Sequence, residues 1–298
     1  MMAGGPTVTM ANGTAVRVWT LNGAATGFNG DRIVPGPVIE LTQGQAAALT
    51  LSSGMPHTIH PHGLDVNTAN DGVPQTSGFV AGTMMFPIQQ PGQVGGNLGS
   101  PFTYRFTAPF AGTYLYHCHV DAALHFEMGM YGAVIVRPPS GATNVAWDGG
   151  PSFAKEYIWQ LSTFDSRWHT QSQTGTGTRR YVPNFFMING RDGSNLLTDT
   201  TTAINAPQAS RVLVRLISYA YAPAIVDLGG VPFDIIASDG RPLRSFIANQ
   251  TTWRIMPGER YDLLITMPTA GARQATVTFQ NIRGTATLGM AQTSITSV

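Results

Sequence analysis

The segment from Gly112 to Val136 concentrates side chains that could bind a metal ion. It holds the only cysteine of the chain, Cys118, together with four further donor residues, namely His117, His119, His125 and Met130. A thiolate, imidazoles and a thioether are soft or borderline ligands, and together they suit copper better than a hard cation. The segment therefore predicts a copper-binding function.

A second histidine-rich segment, MPHTIHPHG, lies upstream at residues 55–63. The chain has seven histidines, and six of them fall in these two segments. Side chains alternate between the two faces of a β-strand, so His60 and His62 share one face while His57 lies on the other.

In the downstream segment the same alternation places His117 and His119 on one face and Cys118 on the opposite face. Pairing the two strands would therefore separate the ligands into two groups. The first, which we call the thiolate site, comprises His57, Cys118, His125 and Met130. The second, which we call the imidazole site, comprises His60, His62, His117 and His119.

The two groups suit different copper chemistry. The thiolate site has the His₂Cys-plus-thioether pattern of a blue, electron-transfer copper, and the imidazole site suits copper that binds dioxygen or another small oxidant. Because Cys118 is covalently bonded to His117 and His119, an electron at the thiolate site has a short route to the imidazole site. Two other interpretations stay open: a structural zinc site, although such sites normally have two or more cysteines, and a buried free cysteine among unrelated histidines.

Short β-strands are the elements that would position these residues. Apolar residues make up 43% of the chain and charged residues 11%, with 34 glycines and 20 prolines. This composition favours strands joined by turns, and no helical periodicity of useful length is present. The predicted strands are 14–21, 36–40, 45–51, 103–106, 112–116, 131–136, 156–161, 211–217, 233–237, 261–266 and 275–279. A loop rich in Gly, Gln and Asn is expected at 67–99.

The stretch 137–153 has the proline and glycine content of a linker. The chain is therefore predicted to be all-β, with two β-sandwich domains at residues 1–140 and 151–298. A net charge of +1 gives no basic surface for nucleic acid. No apolar run is long enough for a membrane span, and the first residues lack the features of a signal peptide.

The two histidine segments also resemble motifs of the multicopper oxidases, the laccase and ascorbate oxidase group of linked cupredoxin domains. Residues 57–63, HTIHPHG, resemble the HxxHxHG motif of that family, and residues 117–130 resemble its HCH…H…GM motif. The resemblance implies Greek-key cupredoxin-like domains. It also implies type 1 copper at the thiolate site and ligands of a trinuclear type 2/type 3 copper cluster at the imidazole site.

Two further features extend this resemblance, and the spacing of two ligands departs from it. Asp71, eleven residues after His60, stands where copper oxidases of this group carry an acid that relays protons to bound oxygen. The second half is similar to a copper-free cupredoxin domain of the family through NGR at 189–191 and MPGERYDLLI at 256–265. Six residues separate Cys118 from His125, a spacing closer to small cupredoxins and nitrite reductases than to three-domain laccases.

The function implied is that of a laccase-like oxidase, periplasmic or secreted. A small-molecule or metal-ion reductant would give electrons at an exposed edge of His125, and dioxygen would become water at the imidazole site. The alternatives are a copper nitrite reductase-like enzyme and a blue-copper electron-transfer protein. Asp121 and Glu127, beside the ligands, are expected to be solvated loop charges.

The imidazole site is predicted to be half a site. The trinuclear cluster of the family takes eight histidines, this chain supplies four, and His169 is expected on a surface loop. The other half is therefore expected from a homo-oligomer, either a dimer that joins two first domains or a trimer, or from a further domain.

Overall fold

The computed structural model describes residues 6–21, 33–53, 56–77, 101–170 and 180–298. Most of the loop expected at 67–99 lies outside these residues. Within the described ranges, no helix has the length and apolarity that crossing a bilayer requires.

The first half of the chain folds mainly into strands. They are β1 (Thr7–Thr9), β2 (Ala15–Arg17), β3 (Ile39–Thr42), β4 (Ala46–Leu51), β5 (His60–His62), β6 (Phe102–Thr107), β7 (Gly112–His117) and β8 (Tyr131–Arg137). Short helices are α1 (Pro74–Ser77), α2 (Ala122–Glu127) and a 3₁₀ turn at Thr68–Asn70. The central sheet has the order β3-β8-β7-β5, and β4 pairs with β6.

The second half has longer strands. They are β9 (Lys155–Phe164), β10 (Phe185–Ile188), β11 (Arg191–Asp192), β12 (Ile204–Ala206), β13 (Arg211–Ser218), β14 (Ala224–Asp227), β15 (Phe233–Ser238), β16 (Arg241–Gln250), β17 (Thr252–Ile255), β18 (Arg260–Thr266), β19 (Gly271–Gln280) and β20 (Thr287–Ser297). A 3₁₀ turn at Trp168–Thr170 and helix α3 (Gly193–Leu197) interrupt them.

Two sheets sandwich the core of the second half. One has the order β11-β10-β9-β13-β18-β15-β16 and the other the order β12-β20-β19-β14-β17. A single apolar cluster takes residues from both sheets, including Trp159, Val214 and Leu263 from the first and Val277 and Ile295 from the second. Burial of these side chains against each other is what holds the two sheets together.

The two strands on either side of the Cys118 segment are central and buried. Every residue of β7 is buried, as is every residue of β8 except Arg137. Strand β5 pairs antiparallel with β7, with His60 opposite His117 and His62 opposite Leu115. Cys118 follows β7 directly, α2 carries His125, and β8 begins after Met130. One edge of one sheet therefore gathers both histidine segments.

The predicted strand at 14–21 is too long. Only Ala15–Arg17 forms a strand, because the next backbone N–H groups bond elsewhere: Val18 donates to Pro6 and Trp19 to Met128. The predicted strand at 36–40 lies too far upstream, because pairing with β8 begins only at Ile39 and continues to Thr42. The other predicted strands match observed ones, although several of those extend further. Helix α2, inside the ligand loop, was not predicted.

Buried polar contacts join the two halves. The Thr113 hydroxyl donates to Asp262 Oδ1 (2.5 Å), and Arg215 Nη1 donates to the same hydroxyl oxygen (2.8 Å). The Tyr114 hydroxyl bonds the Gly240 carbonyl at 3.0 Å. Thr113 and Tyr114 both lie on β7, so the strand that leads to the metal-ligand candidates is fixed directly against the second half.

Candidate metal centre

Three donor atoms of the thiolate site converge in the core of the first half. Cys118 Sγ lies 3.2 Å from His125 Nδ1 and 3.7 Å from His57 Nδ1, and the two Nδ1 atoms are 3.3 Å apart. Atoms bound at about 2.0–2.3 Å to one ion lie at such separations when the angles between them are near tetrahedral. The donor set and its spacing therefore fit a copper ion.

The fourth member of the thiolate site, Met130, is buried in the same apolar cluster as Cys118. Its carbonyl accepts the N–H of Cys118 at 3.0 Å, and its own N–H donates to the carbonyl of His125 at 3.1 Å. These bonds close the loop that carries α2 onto the end of β7. They hold three members of the site on one short piece of backbone.

Burial keeps the imidazoles of the thiolate site neutral. It lowers the pKa of His57 to about 4 and that of His125 to about 3. Burial also raises the pKa of the Cys118 thiol to about 11. A metal ion that binds here must displace the thiol proton, whereas the imidazoles need lose none.

The imidazole site forms on the neighbouring side chains of β5 and β7. Donor atoms of His60, His62 and His117 all lie within 4.8 Å of one another. His62 Nδ1 is 3.3 Å from His117 Nε2, and the ring of His119 lies 5.3 Å from that of His60. The structure thus brings all four of these histidines together.

Backbone carbonyls orient two of these rings. His117 Nδ1 lies 2.9 Å from the Cys118 carbonyl, and His60 Nδ1 lies 2.6 Å from the Asp71 carbonyl. Each Nδ1 donates its proton there, which leaves Nε2 free as a metal ligand. The carboxylate of Asp71 is also close, with Oδ1 3.3 Å from His60 Nδ1.

Burial also lowers the pKa of three histidines of the imidazole site. The pKa falls to about 4 for His62 and to about 3 for His117, and that of His119 is lowered as well. For His62 the neighbouring Arg260 guanidinium adds to the shift. Neutral imidazoles are the form that binds metal.

The expectation of an exposed His125 edge is wrong. The side chain is 3% exposed, and the ring of Trp19 packs edge-on against it with 5.3 Å between centroids. The sequence gives little warning of this contact because Trp19 is remote from the ligand segments.

The expectations for His169 and Glu127 are also wrong, because both side chains are buried. Glu127 Oε1 accepts the N–H of Asp165 (2.6 Å) and lies 3.4 Å from His169 Nε2, while His169 Nδ1 donates to the Arg17 carbonyl (2.6 Å). Asp121 is exposed, as expected. His169 therefore lies in neither metal-ligand group. It takes part in a buried contact with Glu127, the last residue of α2.

Comparisons with known proteins agree with this geometry. Residues 3–141 match one family model described as multicopper oxidase, and residues 161–294 match a second model of the same description. The multicopper oxidase MmcO of Mycobacterium tuberculosis is 24% identical over 258 residues, covering 78% of this chain and 46% of that protein. A copper-containing nitrite reductase of Neisseria meningitidis serogroup B is 31% identical over 140 residues, covering 47% of this chain and 30% of that protein.

The chain spans less than half the length of these curated relatives. Among solved structures, the blue copper oxidase of Nitrosomonas europaea superposes with a TM-score of 0.73 at 25% identity, covering 98% of this chain and 82% of that one. The predicted all-β, cupredoxin-like fold class is thereby confirmed.

Proposed function

The chain belongs to the multicopper oxidase family, and we propose that it acts as a laccase-like oxidase with the thiolate and imidazole sites as its copper centres. The observation that carries the proposal is the convergence of Cys118 Sγ with the Nδ1 atoms of His57 and His125 at 3.2–3.7 Å. When bound, copper supplies one-electron redox chemistry and the capacity to bind dioxygen. The reductant, a small molecule or a metal ion, would react outside the buried thiolate site.

The chain's own residues provide the link between the sites. The Cys118 carbonyl accepts the Nδ1 proton of His117 at 2.9 Å, which adds a hydrogen-bonded path to the covalent one. Because His125 is buried beside Trp19, we propose that electrons reach the thiolate site across the Trp19 ring instead of at an open imidazole edge. Met130 is proposed as the weak thioether ligand.

We propose Asp71 as the proton-relaying group of the imidazole site. Its carboxylate lies 3.3 Å from His60 Nδ1 and is partly exposed, so it can exchange protons with water. An Asp71→Asn variant tests the role cleanly, since the backbone carbonyl that orients His60 is unchanged. We expect dioxygen consumption to fall about 10²-fold or more with copper content unaltered. Unchanged turnover would remove Asp71 from the mechanism.

A nitrite reductase-like activity is the second candidate. His60, His62 and His117 could hold a single copper ion by themselves, and a nitrite reductase is among the relatives of the first half. His60 weighs against it, because nitrite reductases usually have an acid at the corresponding position.

The imidazole site needs further ligands if it is to form a trinuclear cluster. Six of the seven histidines belong to the two metal-ligand groups. The seventh, His169, contacts Glu127 and the Arg17 carbonyl instead. We propose that a second copy of the chain supplies the remaining imidazoles, as a dimer joining two first domains. A trimer and a further domain of a longer protein are the alternatives. We also propose a periplasmic or secreted location.

Copper content per chain, optical and EPR spectra and native mass together test these proposals. A blue band with an EPR-silent coupled pair, in a dimer that reduces dioxygen, is expected. A blue signal with one uncoupled copper and nitrite turnover would favour the reductase, and a blue signal alone would favour an electron carrier. A Cys118→Ser variant should lose the blue band and keep copper at the imidazole site.

A further inference from the structure

A buried guanidinium of the second half lies against the imidazole site. Arg260, the first residue of β18, is 3% exposed. Its Nη1 donates to the Gly258 carbonyl at 2.7 Å and lies 3.0 Å from Asp239 Oδ1, and the same carboxylate oxygen accepts the Arg260 backbone N–H at 3.1 Å. The guanidinium is therefore held in one place by its own half of the chain.

The other edge of this guanidinium meets the turn after His62. Gly63 has φ +82°, and a Cβ placed on it would overlap Arg260 Nη2. Glycine is therefore required at this position for two reasons: the left-handed backbone and the close approach of the guanidinium. The turn that ends β5 is shaped around a residue of the second half.

The carbonyl that Arg260 holds belongs to a second turn beside the same histidine. A Cβ placed on Gly258 would lie 3.8 Å from His62 Cε1 and 4.0 Å from His62 Nε2, an ordinary packing distance. Arg260 thus contacts the backbone on one side of His62 through Gly63 and fixes the backbone on its other side through Gly258.

Burial disfavours a guanidinium unless its hydrogen bonds and its ion pair compensate, and the partner carboxylate of Asp239 is half exposed. Arg215 is also a buried guanidinium, and it joins the halves through Thr113. Arg260 differs from Arg215 in its place, since its contacts lie in the two turns beside His62.

We propose that Arg260 is a positioning residue of the imidazole site, which sets the orientation of the His62 ring by clamping the Gly63 and Gly258 turns around it. This inference rests on the proposed function, namely that the imidazole site binds copper. It makes the second half a structural part of the copper centre although it contributes no ligand.

Copper(II) titration of the full-length apoprotein, followed by EPR and metal analysis, tests the proposal in Arg260→Lys and Arg260→Met variants. Lysine keeps the charge but loses the planar fork that spans both turns. We expect both variants to bind copper at the imidazole site at least tenfold more weakly, with altered EPR hyperfine splitting, while the blue band per chain is unchanged. Arg254→Lys, an exposed position on β17, should match the wild type.

Arg215→Lys serves as the second control, since it weakens the contact between the halves away from the histidines. It should lower the thermal midpoint and leave the EPR signal of the imidazole site unchanged. Wild-type affinity and spectrum in Arg260→Lys would overturn the proposal, as would parallel loss of both copper sites in the Arg260 variants. A wild-type protein that takes no copper at the imidazole site would instead overturn the proposed function, and this inference with it.

Discussion

At the scale of single residues, Thr58 links the two metal-ligand groups. It is fully buried, its Oγ1 accepts the N–H of His119 at 2.9 Å, and its hydroxyl and backbone N–H both act to lower the pKa of the Cys118 thiol against the rise that burial causes. Hydrogen bonds to a ligand sulfur tune a copper site because they withdraw electron density from it. Thr58 is therefore expected to adjust the potential of the thiolate site.

Thr58→Val should lower the reduction potential of that site. Without the hydroxyl the sulfur donates more strongly and favours oxidised copper. A difference of about 1 kcal/mol between the oxidation states corresponds to roughly 40 mV for a one-electron couple. Redox titration of the blue band measures the change, and Thr58→Ser, which keeps the hydroxyl, should retain the wild-type potential. An unchanged value in Thr58→Val would contradict this role.

The neutral histidines predict how the stability of the apoprotein depends on pH. The folded-state pKa values are about 4 for His57 and His62 and about 3 for His117 and His125, below the unfolded value of 6.5. The unfolded chain therefore binds more protons below pH 6.5. The free energy of unfolding should fall by about 1.4 kcal/mol per pH unit for each such histidine as the pH drops from 6.5 towards 4.

Glu127 opposes this trend. Burial raises its pKa from 4.5 to about 7, so its favourable contribution is lost as the pH rises through that range. Between pH 4.5 and 6.5 the change that Glu127 causes in the free energy of unfolding cancels that of about one histidine. Urea unfolding of the apoprotein at several pH values tests the balance, with His125→Gln as the variant expected to show a shallower slope. Constant stability down to pH 4.5 would be inconsistent with neutral buried imidazoles.

The ligand groups were predictable from sequence because strand alternation is a local property. The prediction needed only the positions of Cys118 and its neighbouring histidines along one strand. In the structure Cys118 and His117 lie in different ligand groups, as the alternation requires. The burial of His169 was not predictable, since its partners Arg17 and Glu127 are far away along the chain. Which polar side chains become buried depends on long-range packing that no local pattern records.

At the scale of elements, a buried hydrogen bond fixes the short helix α2 to the segment that follows β9. The helix carries His125, and its last residue, Glu127, accepts the N–H of Asp165 at the end of β9. Replacing the Glu127 side chain by the methyl group of alanine would leave the buried backbone N–H of Asp165 without an acceptor. The helix would then lose a buried polar contact with the second half of the chain.

Glu127→Ala should therefore lower the free energy of unfolding by about 2 kcal/mol and broaden the blue band, because His125 loses its fixed backbone. Glu127→Gln keeps an acceptor oxygen and should lose much less. Chemical denaturation and optical spectra of the two copper-loaded variants measure these effects. Equal stability of the alanine and glutamine variants would show that the Asp165 contact contributes little.

The strands differed in how well the sequence predicted them. Strands β7 and β8 are buried, mostly apolar runs with turns at their ends, which is a strong local signal. Strand β16 is exposed along most of its length, and β20 consists mostly of small and polar residues, so neither was predicted. Pairing with neighbours, not composition, makes these segments strands.

At the scale of the whole molecule, a buried charge network joins the halves. Arg215 is fully buried, with Nε 2.5 Å from Glu156 Oε1 and Nη1 3.3 Å from Asp262 Oδ2. Arg137 of β8 also pairs with Glu156 at 2.8 Å. The network spans both halves, and sequence patterns did not indicate it because it depends on the complementarity of two folded surfaces.

Arg215→Met should lower the free energy of unfolding by about 3 kcal/mol or more, because it leaves the buried Asp262 carboxylate without its cation and removes one of the two cations that pair with Glu156. Arg211→Met, an exposed position on the same strand, should change it by less than about 0.5 kcal/mol. Urea unfolding of both apoproteins makes the comparison. Similar values for the two variants would mean that water or protonation relieves the buried charges.

The spacing of the thiolate-site ligands also bears on the order in which the protein folds. Cys118 and His125 are 7 residues apart along the chain, whereas His57 is 61 residues from Cys118. Closing the longer loop costs about 2 kcal/mol more in chain entropy. We expect the hairpin of β7, α2 and β8 to form early as a two-ligand receptor for metal. The arrival of His57 with β5 would then close the pocket, so that copper captured during folding would favour the docking of the histidine-rich strand.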